Sequence, residues 1–246
     1  MNISQIQTNS LLDYPGTISS VVFLKGCNYQ CGSCHARQVR DSDLGYDSDN
    51  RFLEYLREET WVDGVVILGG EPTIQPDLPE FLSKIKGLGK KIKLDTNGSN
   101  PQMLKKLLEE RLVDYVAMDI KGPRLMYPVL TGRDNTSSLV EESMKLLYSG
   151  KVDYEFRTTV VPVYIENQVS WMHEGEIAEV SEWISKTAGK DSKYFLQKFV
   201  ARGRDEMISE RFSKEVLPVE YHETPKEVLD LLREEALKYL PNTAVR

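Results

Sequence analysis

Residues 18–34 read ISSVVFLKGCNYQCGSC, a run of apolar and β-branched residues followed by a cysteine-rich loop. The apolar part, 18–24, is typical of a buried strand, and Gly26 ends it. The loop holds Cys27, Cys31 and Cys34, and the chain has no other cysteine. An odd number of cysteines this close together is not a disulfide framework. A metal site in a reducing compartment accounts for them better.

The same succession of a short apolar run and a polar turn recurs along the chain. Further predicted strands lie at 62–68, 91–94, 115–118, 154–161 and 194–199. Because helical patterns separate them, the sequence predicts βα units around a parallel sheet. We therefore expect an α/β fold, a partial (β/α)6 TIM-like barrel with a C-terminal helix. In barrels the chemistry sits at the carboxyl ends of the strands, where the polar motifs of this chain lie.

Several helix boundaries are also predicted. Asn100 followed by Pro101 is typical of a helix start, and Thr224 with Glu227 predicts a capping box for a last helix over 224–240. Two more helices are expected at 137–149 and 174–188. No clear period is present at 202–223, which we interpret as irregular.

Composition limits the class of protein. The chain has 246 residues, 40% hydrophobic and 28% charged, with a net charge of −7. These values are those of an ordinary soluble protein, and the length fits one large α/β domain as well as two small ones. We expect one domain over 1–246, with a core at about 10–200 and a C-terminal extension at 201–246. No basic excess indicates nucleic-acid binding, and no apolar run approaches the roughly 20 residues of a membrane span. No export signal is visible, so we expect a cytoplasmic protein.

The spacing of the cysteines favours an iron–sulfur cluster. Thiolates are the usual ligands of a four-iron cubane, and three ligands leave one iron open to a substrate. Gly26 and Gly32 allow the loop to curl tightly. Two alternatives remain, a zinc site with His35 as fourth ligand and three unliganded cysteines. Adjacent residues such as Cys34 and His35 rarely converge on one tetrahedral ion, however.

The spacing Cys27-x3-Cys31-x2-Cys34 resembles that of the radical S-adenosylmethionine (SAM) superfamily, and the resemblance extends over about residues 10–200. It implies a [4Fe–4S] cluster whose open iron chelates SAM. An electron from the cluster then splits SAM into methionine and a 5′-deoxyadenosyl radical, which abstracts hydrogen from a substrate. Ser33 stands where the family usually has an aromatic residue beside the adenine, and His35 is expected to cover that face instead.

A second motif follows the second predicted strand. Gly69, Gly70 and Glu71 form the turn, and two glycines allow a ligand to approach the backbone closely. Backbone carbonyls and a carboxylate suit an ammonium group. The turn resembles the GGEP motif of the family, which implies that it holds the methionyl amine of SAM. Taken alone, it also fits an ordinary strand-ending turn.

Polar residues follow the later strands. Asp95 and Thr96 belong to a DTNG turn after the third strand, Asp119 and Lys121 follow the fourth, and Arg157 lies in the fifth. Each also fits an ordinary turn, surface charge or ion pair. Together they resemble segments of the glycyl-radical activating enzymes. The resemblance implies that Lys121 and Arg157 meet the SAM carboxylate or ribose, and that the others line the same region, around a monovalent cation.

The leading functional hypothesis is an enzyme that activates a glycyl radical enzyme. DYPG at 13–16 resembles the start of the activators of anaerobic ribonucleotide reductase and pyruvate formate-lyase, and Gln197 is a further pocket candidate. The partners implied are a glycyl radical enzyme and an electron donor such as flavodoxin or ferredoxin. No catalytic residue is expected beyond the cluster and SAM. Alternatives are a small-molecule enzyme resembling 7-carboxy-7-deazaguanine synthase, and a zinc-binding or inactive scaffold protein.

Overall fold

A computed structural model of the chain describes residues 1–35, 37–41, 49–165 and 168–246. The strands are β1 (Ile3–Ser10), β2 (Ser19–Leu24), β3 (Gly64–Gly69), β4 (Lys91–Thr96), β5 (Tyr115–Asp119), β6 (Asp153–Val160), β7 (Pro162–Ile165), β8 (Gln168–Trp171), β9 (Tyr194–Lys198) and β10 (Thr243–Val245). The helices are α1 (Arg37–Asp41), α2 (Asp49–Glu58), α3 (Leu78–Gly87), α4 (Pro101–Glu109), α5 (Tyr127–Thr131), α6 (Ser137–Ser149), α7 (Glu174–Ala188) and α8 (Lys226–Leu237).

Eight of these strands form one sheet in the order β1-β2-β3-β4-β5-β6-β9-β10. The strands from β2 to β6 and β9 pair in parallel, which confirms the predicted partial (β/α)6 barrel. Two strands extend it, β1 antiparallel to β2 and β10 parallel to β9. The remaining pair, β7 and β8, forms a separate antiparallel hairpin. In the part of the chain described here, no helix is long and apolar enough to cross a membrane.

The predicted strands and helices correspond closely to those of the structure, because burial and sequence pattern agree there. Val22, Val65 and Ile67 are fully buried, as expected for a parallel strand covered on both faces. Asn100 accepts a hydrogen bond from the amide of Met103 at 3.2 Å, which confirms it as the cap of α4. The sequence did not predict β1 or β10, since the first is mostly polar and the second spans three residues.

The start of α8 differs from the prediction. The hydroxyl of Thr224 accepts a hydrogen bond from the amide of Phe199 at 2.8 Å and donates one to the carbonyl of Val160 at 2.9 Å. It makes no capping bond to the helix, so the capping box with Glu227 is wrong. A tertiary contact has taken the hydroxyl that the local motif would have used.

The C-terminal extension is joined to the interior of the barrel. Glu155 is fully buried, and its carboxylate accepts a hydrogen bond from Arg246 at 2.7 Å and one from the Tyr115 hydroxyl at 2.7 Å. The Arg246 guanidinium also lies 3.6 Å from the ring centroid of Phe195. Charged side chains therefore point into the barrel, and β10 is held to the sheet by more than backbone pairing.

Candidate active site

A pocket of about 470 Å³ lies at the carboxyl ends of the parallel strands. Its volume falls in the range of roughly 300–1,000 Å³ common for small-ligand sites. Every residue that the sequence assigned to the site lines it: Cys27, Cys31, Ser33, Cys34, His35, Gly69, Gly70, Glu71, Asp95, Thr96, Asp119, Lys121 and Arg157. Gln197 lines it too. Residues that are far apart in the chain meet here because parallel strands end at the same rim.

The cysteine loop brings three partly buried thiols to one wall of the pocket. Burial raises the pKa of Cys27 to about 11 and also raises that of Cys31. Binding of a metal would replace these protons. A zinc site would need His35 to converge with the thiols. In the described ranges no group of three His, Cys, Asp or Glu side chains is arranged around one ion, and this applies to the three thiols as much as to His35.

The segment 202–223, predicted to be irregular, packs over the cysteine loop. Ile208 donates its amide to the carbonyl of Cys34 at 3.0 Å. Phe212 lies so close to Gly32 that a Cβ there would come within 2.8 Å of the ring. Gly32 is therefore needed for this close approach, a role that its position between two cysteines did not reveal.

The glycine turn after β3 packs directly against the same loop. A Cβ on Gly70 would lie 1.7 Å from the carbonyl oxygen of Gly26, and Gly69 has φ = +122°, which side chains disfavour. The amide of Glu71 donates to the carbonyl of Gly26 at 2.9 Å. Both glycines are thus required, and the two motifs form one structural unit.

Glu71 is fully buried, and its carboxylate joins its own turn to the turn after β4. It accepts hydrogen bonds from the Thr73 amide at 3.1 Å, the Thr73 hydroxyl at 2.5 Å and the Thr96 hydroxyl at 2.7 Å. Its other oxygen accepts from the amide of Asn97 at 2.7 Å. Burial raises the pKa of Glu71, and these hydrogen bonds oppose that effect. The carboxylate is therefore largely engaged in organising the rim.

Replacing Glu71 with glutamine is expected to destabilise the metal-free protein by about 1–3 kcal/mol, because the new NH2 group would face the Asn97 amide. Chemical denaturation of the metal-free protein measures this effect. Glu80→Gln on the exposed face of α3 is the matched control and should change little. Unchanged stability together with weakened SAM binding would instead make Glu71 a ligand of SAM alone.

Asn97 connects the turn after β4 to the cysteine loop. Its side-chain amide donates to Asn28 at 3.0 Å and lies 4.0 Å from the sulfur of Cys27. The sequence showed it only as part of an ordinary turn. Nothing in its local pattern indicates the contact, because the two loops are distant in sequence.

Five charged side chains of alternating sign form a row along the inner face of the barrel: Lys93, Asp95, Arg157, Asp119 and Lys121. Lys93 pairs with one oxygen of Asp95, and Arg157 donates to the other at 2.9 Å. Arg157 also donates to Asp119 at 3.0 Å, and Lys121 donates to Asp119 at 2.9 Å. Three cations face two carboxylates, so this row of five side chains carries one excess positive charge.

Asp119, the second carboxylate of this row of charges, stays ionised. Burial disfavours the charged form of Asp119, but Lys121 and Arg157 outweigh it and lower the pKa to about 2. Burial likewise opposes the charge on Lys121, yet Asp119 and the nearby Cys31 raise its pKa. The excess charge therefore persists at neutral pH and favours an anionic ligand group.

Comparisons with known proteins give a family and individual relatives. The family model "Radical SAM superfamily" matches residues 21–173. The chain is 30% identical over 252 residues to the "Putative glycyl-radical enzyme activating enzyme" of Methanocaldococcus jannaschii, covering 99% of this chain and 95% of that protein. It is 31% identical to the pyruvate formate-lyase-activating enzyme of Clostridium pasteurianum, covering 68% and 71%.

Other similarities are shorter or more distant. The 7-carboxy-7-deazaguanine synthase of Clostridium acetobutylicum is 29% identical over 111 residues, 44% of this chain and 49% of that protein. Streptococcus suis SuiB bound to the precursor peptide SuiA superposes with a TM-score of 0.63 at 15% identity, over 90% of this chain. The chain spans 46% of SuiB, so this likeness concerns the fold alone.

Proposed function

The chain is a member of the radical SAM superfamily, and on that basis we propose that it activates a glycyl radical enzyme by abstracting hydrogen from a glycine of that protein. The observation that carries the proposal is the 30% identity to the M. jannaschii protein along 99% of the chain. By contrast, the match to the deazaguanine synthase covers 44% of the chain. A full-length match includes the regions outside the shared core, where partner specificity would lie.

The family implies a [4Fe–4S] cluster and SAM, and the residues of the pocket fit both. Three thiols on one loop suit a cluster with an open iron. SAM carries a carboxylate, an ammonium and a sulfonium, and therefore needs both signs of charge around it. The row of charged side chains that ends in Lys121 supplies positive charge for the carboxylate. The turn at Gly69 and Gly70 supplies backbone groups close to the cysteine loop.

When bound, the cluster and SAM supply a 5′-deoxyadenosyl radical that takes one hydrogen atom from the substrate, with the electron delivered by a donor such as flavodoxin or ferredoxin. The side chains of the protein would bind and orient the cluster and SAM. Cys27, Cys31 and Cys34 would each hold one iron of the cluster, and Lys121 with Arg157 would hold the SAM carboxylate. No residue is required as an acid or base in this proposal.

Aromatic and apolar side chains form a further part of the pocket wall. Phe199 and Val161 line the pocket. Phe199 stacks edge-on against Phe212 at 6.3 Å between ring centroids, and Phe212 against Tyr164 at 5.5 Å. This apolar wall offers the adenine a surface that Ser33 lacks, and excluding water protects a radical from side reactions.

The test is an anaerobic assay of the reconstituted protein with SAM, a reductant and candidate glycyl radical enzymes, beginning with an anaerobic ribonucleotide reductase. We expect 5′-deoxyadenosine to accumulate and a glycyl radical signal to appear by electron paramagnetic resonance. The matched control is the same partner with its radical glycine replaced by alanine, which should give no such signal.

A second candidate, a small-molecule enzyme similar to 7-carboxy-7-deazaguanine synthase, makes a different prediction. It is favoured by the shorter match to that enzyme. SAM cleavage would then depend on a purine-like substrate and not on any protein partner. That outcome would refute glycyl radical formation while leaving the radical SAM chemistry intact.

A further inference from the structure

Lys93 is a buried cation for which the proposed function gives no role. Its side chain is 3% exposed, in the interior of the barrel, and its ammonium pairs with Asp95. Alternate residues of a strand share a face, so Lys93 and Asp95 both point inward from β4. A lysine is rarely buried unless it is paired, and the partner of Lys93 is Asp95, which lines the candidate pocket.

The oxygens expected around a monovalent cation are already engaged. One oxygen of Asp95 accepts from Lys93 and the other from Arg157 at 2.9 Å. The two oxygens of Asp119 accept from Arg157 at 3.0 Å and from Lys121 at 2.9 Å.

The hydroxyl expected to complete that cation site is engaged as well. Thr96 donates to Glu71 at 2.7 Å and accepts from the Gly98 amide at 3.1 Å. Each oxygen of Asp95 and Asp119 already faces a cationic side chain, which would repel a further cation placed beside it. These side chains therefore do not fit a cation site as they are arranged.

We infer that Lys93 is a built-in cation, so that this protein binds the SAM carboxylate without Na⁺ or K⁺. The inference rests on the proposed binding of SAM. Lys93, Arg157 and Lys121 carry one charge more than Asp95 and Asp119, and the SAM carboxylate balances it. Lys93 is a positioning residue here, since it acts through Asp95 and leaves Arg157 free to bridge both carboxylates.

Removal of the Lys93 charge should therefore create a dependence on monovalent cations. Lys93→Ser removes the charge, opens space and adds an oxygen ligand, whereas Lys93→Met removes the charge but fills the space. Without Na⁺ or K⁺ both variants should bind SAM about tenfold more weakly, as expected for the loss of one nearby unit charge in a partly buried site. Added Na⁺ or K⁺ should restore most of the affinity of Lys93→Ser only.

The experiment measures SAM affinity of the reconstituted proteins in choline chloride and in sodium or potassium chloride at equal ionic strength. Wild type and the exposed control Lys91→Ser should bind equally well in all three salts. Melting of the metal-free variants shows whether each is folded, and cation rescue is a readout that general destabilisation would not produce.

Three results would overturn the inference. If the wild-type protein binds SAM only with Na⁺ or K⁺, the inferred role of Lys93 is wrong, while the proposed function still stands. Unchanged SAM affinity in Lys93→Met would also contradict that role. So would a folded Lys93→Ser variant that loses SAM affinity and does not respond to added cations. Absence of SAM binding in every salt would instead refute the proposed function itself.

Discussion

Replacing any one of Cys27, Cys31 and Cys34 with serine is expected to abolish assembly of the cluster and all SAM cleavage. Each thiol lines the same pocket, and the chain has no other cysteine to replace a lost ligand. Serine is a poor ligand for iron in such clusters because the alkoxide is rarely available at neutral pH. Iron and sulfide content after anaerobic reconstitution, with the visible absorption of the protein, measures the loss.

The control for this prediction lies in the same loop. Gln30 precedes Cys31 and has an exposed side chain, so Gln30→Ala should assemble the cluster normally. Circular dichroism of the serine variants should remain close to that of wild type, because the loop is also held by backbone bonds such as Gln30 to Thr131 at 2.7 Å. A serine variant that still binds four irons and cleaves SAM would contradict the ligand assignment.

Replacing Arg157 with methionine is expected to lower both stability and SAM affinity. Arg157 is 12% exposed and bridges Asp95 and Asp119. Its loss leaves two carboxylates with one partner each, and breaking a buried charge network of this kind costs about 3 kcal/mol or more in unfolding free energy. It also removes one of the two residues proposed to hold the SAM carboxylate, so affinity should fall by about tenfold or more.

The double variant Arg157→Met with Asp119→Asn separates the two effects. Removing one of the two carboxylates that lost Arg157 should recover part of the stability but none of the SAM affinity, because the other partner of Asp119, Lys121, is 30% exposed and can be solvated. Arg57→Met, an exposed arginine at the end of α2, is the matched control. Recovery of SAM affinity in the double variant would show that Arg157 acts only through stability.

The stability difference between wild type and Arg157→Met should also depend on pH. Lys121 and Arg157 lower the pKa of Asp119 from 3.8 to about 2, against the effect of burial. A group with a lowered pKa in the folded state stabilises the protein above its unfolded pKa and loses that effect as pH falls through the folded value. The deficit of the variant should therefore be full at neutral pH and shrink between about pH 4 and pH 2.

The residues predicted for the candidate site line one pocket, and the sequence could bring them together because their motifs are local. A cysteine spacing, a glycine turn and polar residues after strands each occupy a few consecutive residues, and parallel strands necessarily bring their ends together. Lys93 and Asn97 were missed because their contacts join different loops or face the barrel interior. One signal could have found Lys93. It lies two residues before Asp95 in a strand, so the two side chains must share a face of the sheet.

The sequence by itself determined the parallel barrel, the position of most helices and the set of residues at the rim. The periodicity of apolar residues and the identity of turn residues are local features, so they can be recognised in a single sequence. Only the tertiary structure decided which partner each polar atom takes. Thr224 bonds to Phe199 and Val160 instead of capping α8, and the carboxylate of Glu71 bonds to the turn after β4. Buried polar groups must find a partner, and that partner is set by packing between segments distant in sequence.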